Sequence, residues 1–235
     1  MKAIFKKEMK SYFNSPLGYV FIAVFTLVTA MFFSLYNLFS GSSDVTYIFS
    51  NITLLLVLLI PVLTMRSFAE EKNKRTDQLL LTCPISVASI VAGKFLAAFA
   101  VFGIALAVTL VYPLILSFYA DIAWVTVIGN YFGFFCMGAA FIAIGVFISS
   151  LTENLLISAV ASFGALFVIY LMDWISGTVE NPVIGAITNA ISVTARFTDF
   201  AMGVINIPNV IYFISVVAIF GLLTVLQIEK RRWIK

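Results

Sequence analysis

Residues 45–65 read Val-Thr-Tyr-Ile-Phe-Ser-Asn-Ile-Thr-Leu-Leu-Leu-Val-Leu-Leu-Ile-Pro-Val-Leu-Thr-Met, 21 positions without a formal charge. A helix needs about 20 predominantly apolar residues to cross about 30 Å of hydrocarbon, and this run supplies them. Within it, Leu54–Ile60 is continuously apolar. It lacks the alternation of a transmembrane barrel strand, whose segments run to about 10 residues. Lipid cannot satisfy a bare backbone, so the run reads as a helix.

Five more stretches free of Asp, Glu, Lys and Arg flank it, at 11–43, 95–120, 122–152, 154–172 and 200–228. Each is long enough for one span. Trimming polar ends places the six near 17–39, 46–65, 93–117, 125–149, 154–172 and 209–228. The expected fold is an all-α polytopic membrane protein, with residues 1–235 forming one transmembrane domain. Composition agrees: 62% of residues are hydrophobic and 11% are charged, and the mean hydropathy is +1.10. A soluble domain carries about 25% charged residues. Histidine is absent, which removes Ser-His catalysis and His-ligated metals. Cys83 and Cys136 are too few for a disulfide framework or a metal cluster.

Six spans put both termini on one side, and the basic residues choose that side. Lys2, Lys6, Lys7 and Lys10 precede span one. Arg66, Lys72, Lys74, Arg75 and Lys94 lie between spans two and three, with Lys94 at the far edge of the loop. Lys230, Arg231, Arg232 and Lys235 close the chain. Only Arg196 of the 14 falls opposite, together with Asp44, Asp121, Asp173, Glu180 and Asp199. Both termini are therefore expected in the cytoplasm, in a prokaryotic cytoplasmic membrane. The apolar run near the amino end exceeds a signal-peptide core of about 7–15 residues, so it reads as an uncleaved first span.

Residues 2–15 form an imperfect amphipathic helix. Ile4, Phe5, Met9, Tyr12 and Phe13 share one half; Lys6, Lys7, Lys10, Ser11 and Asn14 share the other. Lys2 and Glu8 spoil the pattern. Such a helix can lie in the membrane interface with Lys6, Lys7 and Lys10 toward anionic lipid headgroups. Residues 66–86 are the longest charged stretch. Glu70 precedes Lys74 by four residues and Glu71 precedes Arg75 by four, an order worth about 0.2–0.5 kcal/mol per pair. Leu79, Leu80 and Leu81 then add apolar surface before Pro84 ends the helix. Charge followed by three leucines suits a docking surface for a cytoplasmic partner better than a solvated connector.

In span four, Gly129 and Gly133 make a G-x-x-x-G, a helix-packing motif that serves intrachain contacts and dimers alike. Asn130 reads as packing glue, and Pro61 and Pro113 as kink sites. Residues 174–208 are too apolar to stand free in water. Ile184, Ile187, Ile191 and Ala195 make a helical stripe, with Phe197 and Phe200 beside it. One or two short helices dipping back toward the outer leaflet are expected.

The 66–86 stretch resembles the signature of ABC type-2 exporter permeases. Arg66, Ala69, Glu70, Glu71, Lys72, Thr76, Leu79, Leu80, Leu81, Thr82, Pro84, Ile85 and Ser86 fit it. Arg75 stands where that family commonly has Gly, and Gln78 where it commonly has Glu. At the carboxyl end Phe197-Thr-Asp-Phe200, Gly203-Val-Ile205, Tyr212-Phe213 and Arg231-Arg232-Trp233 resemble the gliding-motility-type and copper-maturation-type branch. The resemblance implies an amino-terminal elbow helix, six spans, a coupling helix after span two and re-entrant helices between spans five and six. It also implies a second permease subunit, identical or homologous, and a separate cytoplasmic ATPase docked on each. The branch often works beside a partner with a large extracytoplasmic domain. Contact with the ATPase would fall to Glu70, Glu71, Thr76, Gln78, Leu79, Leu80, Leu81 and Pro84.

No Walker A loop, G-x-x-x-x-G-K-[ST], occurs; Gly93-Lys94 is followed by Phe95. ATP and its Mg are expected on the partner, and no cofactor, metal or nucleic acid on this chain. Three rivals differ in class. A secondary transporter would carry ionisable groups inside its spans. A membrane enzyme would need clustered acid–base groups, whereas Glu153, Asp173, Glu180 and Asp199 are scattered. A mechanotransmitting subunit would keep the fold without transport.

Overall fold

A computed structural model describes residues 1–76, 85–176 and 192–233. Among them the regular structure is helical throughout. Helix α1 is Lys2–Asn14. Helix α2, Pro16–Phe33, opens on a proline whose missing N–H costs nothing in a first turn and continues as a π-helical turn, Ser34–Phe39. Helix α3 is Thr46–Thr64 and α4 is Arg66–Asn73. The third long segment is α5, Val87–Thr109, followed by α6, Val111–Leu116, which contains Pro113. Then come α7, Trp124–Leu151, α8, Leu155–Ser176, α9, Val193–Ala201, and α10, Ile207–Trp233. Among the described residues six segments are long and apolar enough to cross a membrane: Pro16–Phe39, Thr46–Asn73, Val87–Leu116, Trp124–Leu151, Leu155–Met172 and Ile207–Lys230.

Helix α7 is the axis of the bundle. Of its most apolar window 67% is buried, against 17% in α8 and α10. Helices α3, α5, α8, α9 and α10 all pack on it. Its small residues explain how. A methyl group at Gly138 would lie 2.2 Å from the Phe102 ring of α5, and one at Gly145 would lie 2.3 Å from the Thr64 hydroxyl of α3. The glycines are sockets into which neighbouring side chains fit. Phe134, fully buried, meets the rings of Phe25, Phe49, Phe102 and Phe197 at centroid distances of 5.1–6.3 Å. One aromatic cluster thus joins α2, α3, α5 and α9 around α7 in edge and tilted geometries.

Gly129 and Gly133 are filled from within the chain. A methyl at Gly129 would lie 2.2 Å from the Phe200 carbonyl oxygen, and one at Gly133 would lie 2.6 Å from Phe200 Cβ. Helix α9 is seated on them, with Phe197 and Phe200 buried. Asn130 is fully buried beside them. Its amide donates to the Thr126 carbonyl at 2.9 Å and to the Ala201 carbonyl at 3.4 Å. The isoleucines expected to form the outer stripe, Ile184, Ile187 and Ile191, lie outside the described residues.

Candidate functional site at the lysine-rich end

Helix α4 follows α3 directly, and the helical hydrogen-bond ladder is interrupted at the junction, Met65. Ser149 of α7 inserts there. Its hydroxyl accepts from the amides of Phe68 at 3.1 Å and Ala69 at 3.2 Å and donates to the Met65 carbonyl at 3.0 Å. A side chain placed in the ladder in this way interrupts a helix at a fixed point. Lys72, buried, donates to the Ser150 carbonyl. One face of α4, Ser67, Phe68, Ala69 and Lys72, is therefore buried and tied to the end of α7. Arg66, Asn73 and Lys74 on the other face are exposed, with Glu70 half-buried beside them.

The two expected helical ion pairs have different fates. Glu70 and Lys74 pair at 2.7 Å. Glu71 does not pair with Arg75, because the helix has ended before it. Arg75 has φ +55°, the left-handed conformation that glycine adopts most easily. The Thr76 amide donates to the Glu71 carbonyl at 2.9 Å and the Arg75 amide to the Lys72 carbonyl at 3.1 Å. This pair of bonds is a Schellman motif with Arg75 at the C′ position. The geometry accounts for glycine at this place in the resembled signature. Arg75→Gly is expected to stabilise the end of α4 by about 1 kcal/mol, read as slower amide exchange at residues 74–76.

Glu71 turns instead to the amino-terminal helix. Its carboxylate accepts from Lys7 at 2.8 Å and lies 2.9 Å from the ammonium of Lys94. Lys7, grouped by sequence with Lys6 and Lys10 toward lipid, thus faces α4. Burial pulls its pKa down, but the hydrogen bond and charge of Glu71, with Glu8 beyond, outweigh this and hold it above the usual 10.5. Lys94 is not at a loop edge. It lies inside α5, is 2% exposed, and pairs with Glu8 at 3.0 Å as well as with Glu71. Next to it, Gly93 receives Ile4, which a methyl group there would meet at 2.9 Å. The Tyr12 hydroxyl donates to the Leu63 carbonyl at 3.0 Å, and burial raises the pKa of its phenol. Helix α1 is thereby fixed against both α3 and α5.

Between α1 and α4 runs a cleft of about 290 Å³, lined by Ser11, Ser15, Arg66, Glu70, Lys74 and Thr76 around the charged pairs. Of the predicted contact residues, Glu70, Glu71 and Thr76 come together here. Gln78, Leu79, Leu80, Leu81 and Pro84 lie outside the described residues. Among the described residues no group of three His, Cys, Asp or Glu side chains could hold a metal ion. At the opposite end Arg196 stacks 3.9 Å over the Tyr212 ring and donates to Asn209, which in turn donates to Asp199 at 2.7 Å. The basic residue out of place in the charge pattern is a tie between α9 and α10.

A family model described as ABC-2 family transporter protein matches residues 2–228. The chain belongs to that family. No curated protein matches it in sequence. An ABC-2 chain is the membrane permease subunit of an ABC transporter, a multi-pass protein that associates with an ABC ATPase subunit. At the charged end this chain carries a helix with one face anchored to the spans and the other exposed along a cleft.

Proposed function

We propose that this chain is the permease subunit of an ATP-driven exporter and that its ATPase subunit docks on the outward face of α4. The observation that carries this reading is the two-sidedness of α4. Ser149 and Lys72 bind one face to the spans, while Arg66, Glu70, Asn73 and Lys74 are presented on the other. A push on that face reaches α7 through hydrogen bonds. ATP and Mg belong to the partner, and hydrolysis there drives a switch between two arrangements of the spans. The lysine excess puts this end, and both termini, in the cytoplasm. Lys6 and Lys10, both exposed, meet lipid headgroups. A second permease subunit completes the pathway, and the carboxyl-end residues favour the gliding-motility-type or copper-maturation-type branch.

The test separates docking from folding. Glu70→Lys replaces a partly exposed helical pair with an exposed repulsion toward Lys74, each worth about 0.3–0.5 kcal/mol. It should leave the chain folded in detergent while the ATPase subunit no longer co-purifies and vanadate-sensitive ATP hydrolysis by the complex is lost. Unchanged association and hydrolysis, or hydrolysis by the permease alone, would overturn the reading. Flux of a candidate cargo in proteoliposomes distinguishes export from mechanical signalling.

A further inference from the structure

The ammonium of Lys94 gathers oxygens from two helices other than its own. Glu8 of α1 lies at 3.0 Å, Glu71 of α4 at 2.9 Å and the Ser67 carbonyl of α4 at 2.5 Å. The Glu8 and Ser67 contacts are hydrogen bonds, and the Glu71 contact is an ion pair. The Phe68 ring lies 5.0 Å away on a further side. Lys7, 2.8 Å from Glu71 and 3.8 Å from Glu8, brings the group to two cations and two carboxylates. The carboxylates are only 13% and 14% exposed, so water screens them poorly.

Burying such a group is not an efficient route to stability, since apolar side chains would pack as well without desolvating charge. What the charges add is register. Only one placement of α4 against α1 and α5 brings both carboxylates onto one ammonium.

We propose that Lys94 is a positioning residue for energy transfer. It clamps α1, α4 and the start of the third span into one rigid body, so that a displacement of α4 reaches α5 without slip. This rests on the ATPase coupling proposed above. It adds a route into the third span distinct from the contact of α4 with α7.

The variant of choice is Lys94→Met with Glu8→Gln. It removes one cation and one carboxylate together, leaves Glu71 with Lys7, and does not touch the outward face of α4. In the isolated chain in detergent, amide exchange in both α1 and α4 is expected to rise about tenfold or more, with α7 unchanged. A rise no larger than that in α7 overturns the clamp.

The second measurement uses the complex with its ATPase, with spin labels at Arg75→Cys, exposed at the end of α4, and Ile104→Cys in a Cys83→Ser, Cys136→Ser background. A third position, Leu156→Cys, serves as reference. In the otherwise native chain the 75–104 distance should hold between nucleotide-free and ATP-vanadate states while both labels move relative to 156. In the variant, 75 should move and 104 should not. A 75–104 distance that changes with nucleotide in the native chain overturns the transfer role. Immobility of every label, with the exchange result as expected, overturns the ATPase reading and transfer with it, and leaves the clamp standing.

Discussion

Lys94→Met alone is expected to destabilise the folded chain by about 3 kcal/mol, the lower end of the range for breaking a buried ion pair. The loss comes from what is left behind. Glu8 and Glu71 would share a single cation, Lys7, whose side chain is 58% exposed. Two carboxylates that are mostly buried would then repel each other with little water between them. Their residual exposure and Lys7 keep the cost from the upper end of the range. Adding Glu8→Gln removes the surplus charge, so the double variant should recover more than half of the loss. With Glu8→Gln alone as the remaining corner of the cycle, unfolding midpoints in one detergent give the coupling between the two side chains. Equal loss in single and double variants would mean that Lys94 acts through the packing of its alkyl stem. Lys74→Met is the contrast. Its pair with Glu70 is exposed and helical, and its removal should cost no more than about 0.5 kcal/mol.

The same cluster shows where the sequence was legible and where it was not. Six apolar helices follow from charge-free stretches because lipid imposes a one-dimensional rule, that a span must be long and uncharged. Pairing across helices obeys no such rule. Glu8 reads as a flaw in an amphipathic helix, since nothing in residues 2–15 announces a cation 86 positions away. A charge beside an apolar run reads as the edge of the apolar zone, so the sequence places Lys94 at the end of a loop. In fact α5 begins at Val87, and the charge is tolerated inside because two carboxylates meet it. A clue was present: Gly93 beside Lys94 leaves room for a neighbouring helix. Helical spacing pairs Glu71 with Arg75 only where the helix continues. The left-handed turn at Arg75 ends it, and only the glycine of the resembled signature hinted at that. The glycines of α7 were legible as packing positions, but their occupants were not.

Gly129→Ala and Gly164→Ala insert the same methyl group into two transmembrane helices and are expected to have opposite signs. At Gly129 the new carbon would lie 2.2 Å from the Phe200 carbonyl oxygen and 3.1 Å from Gly203 Cα. Both are backbone atoms, so no rotamer change can relieve the overlap. Helix α9 must move away from α7, drawing Phe197 out of the aromatic cluster and Phe200 off Gly133. The expected cost is about 3 kcal/mol, the upper part of the range for overpacking. At Gly164 on α8 nothing lies within 4 Å of the added carbon. There the methyl only restricts the unfolded backbone and improves helix propensity, a gain of about 0.5–1 kcal/mol. Unfolding midpoints of the two variants in one detergent should fall on either side of the native value. If Gly129→Ala is neutral or stabilising, α9 is not seated on α7. The G-x-x-x-G face would then be free to receive another helix, including one from a second copy of the chain. With α9 in place that face is occupied, and pairing between copies must use a different surface.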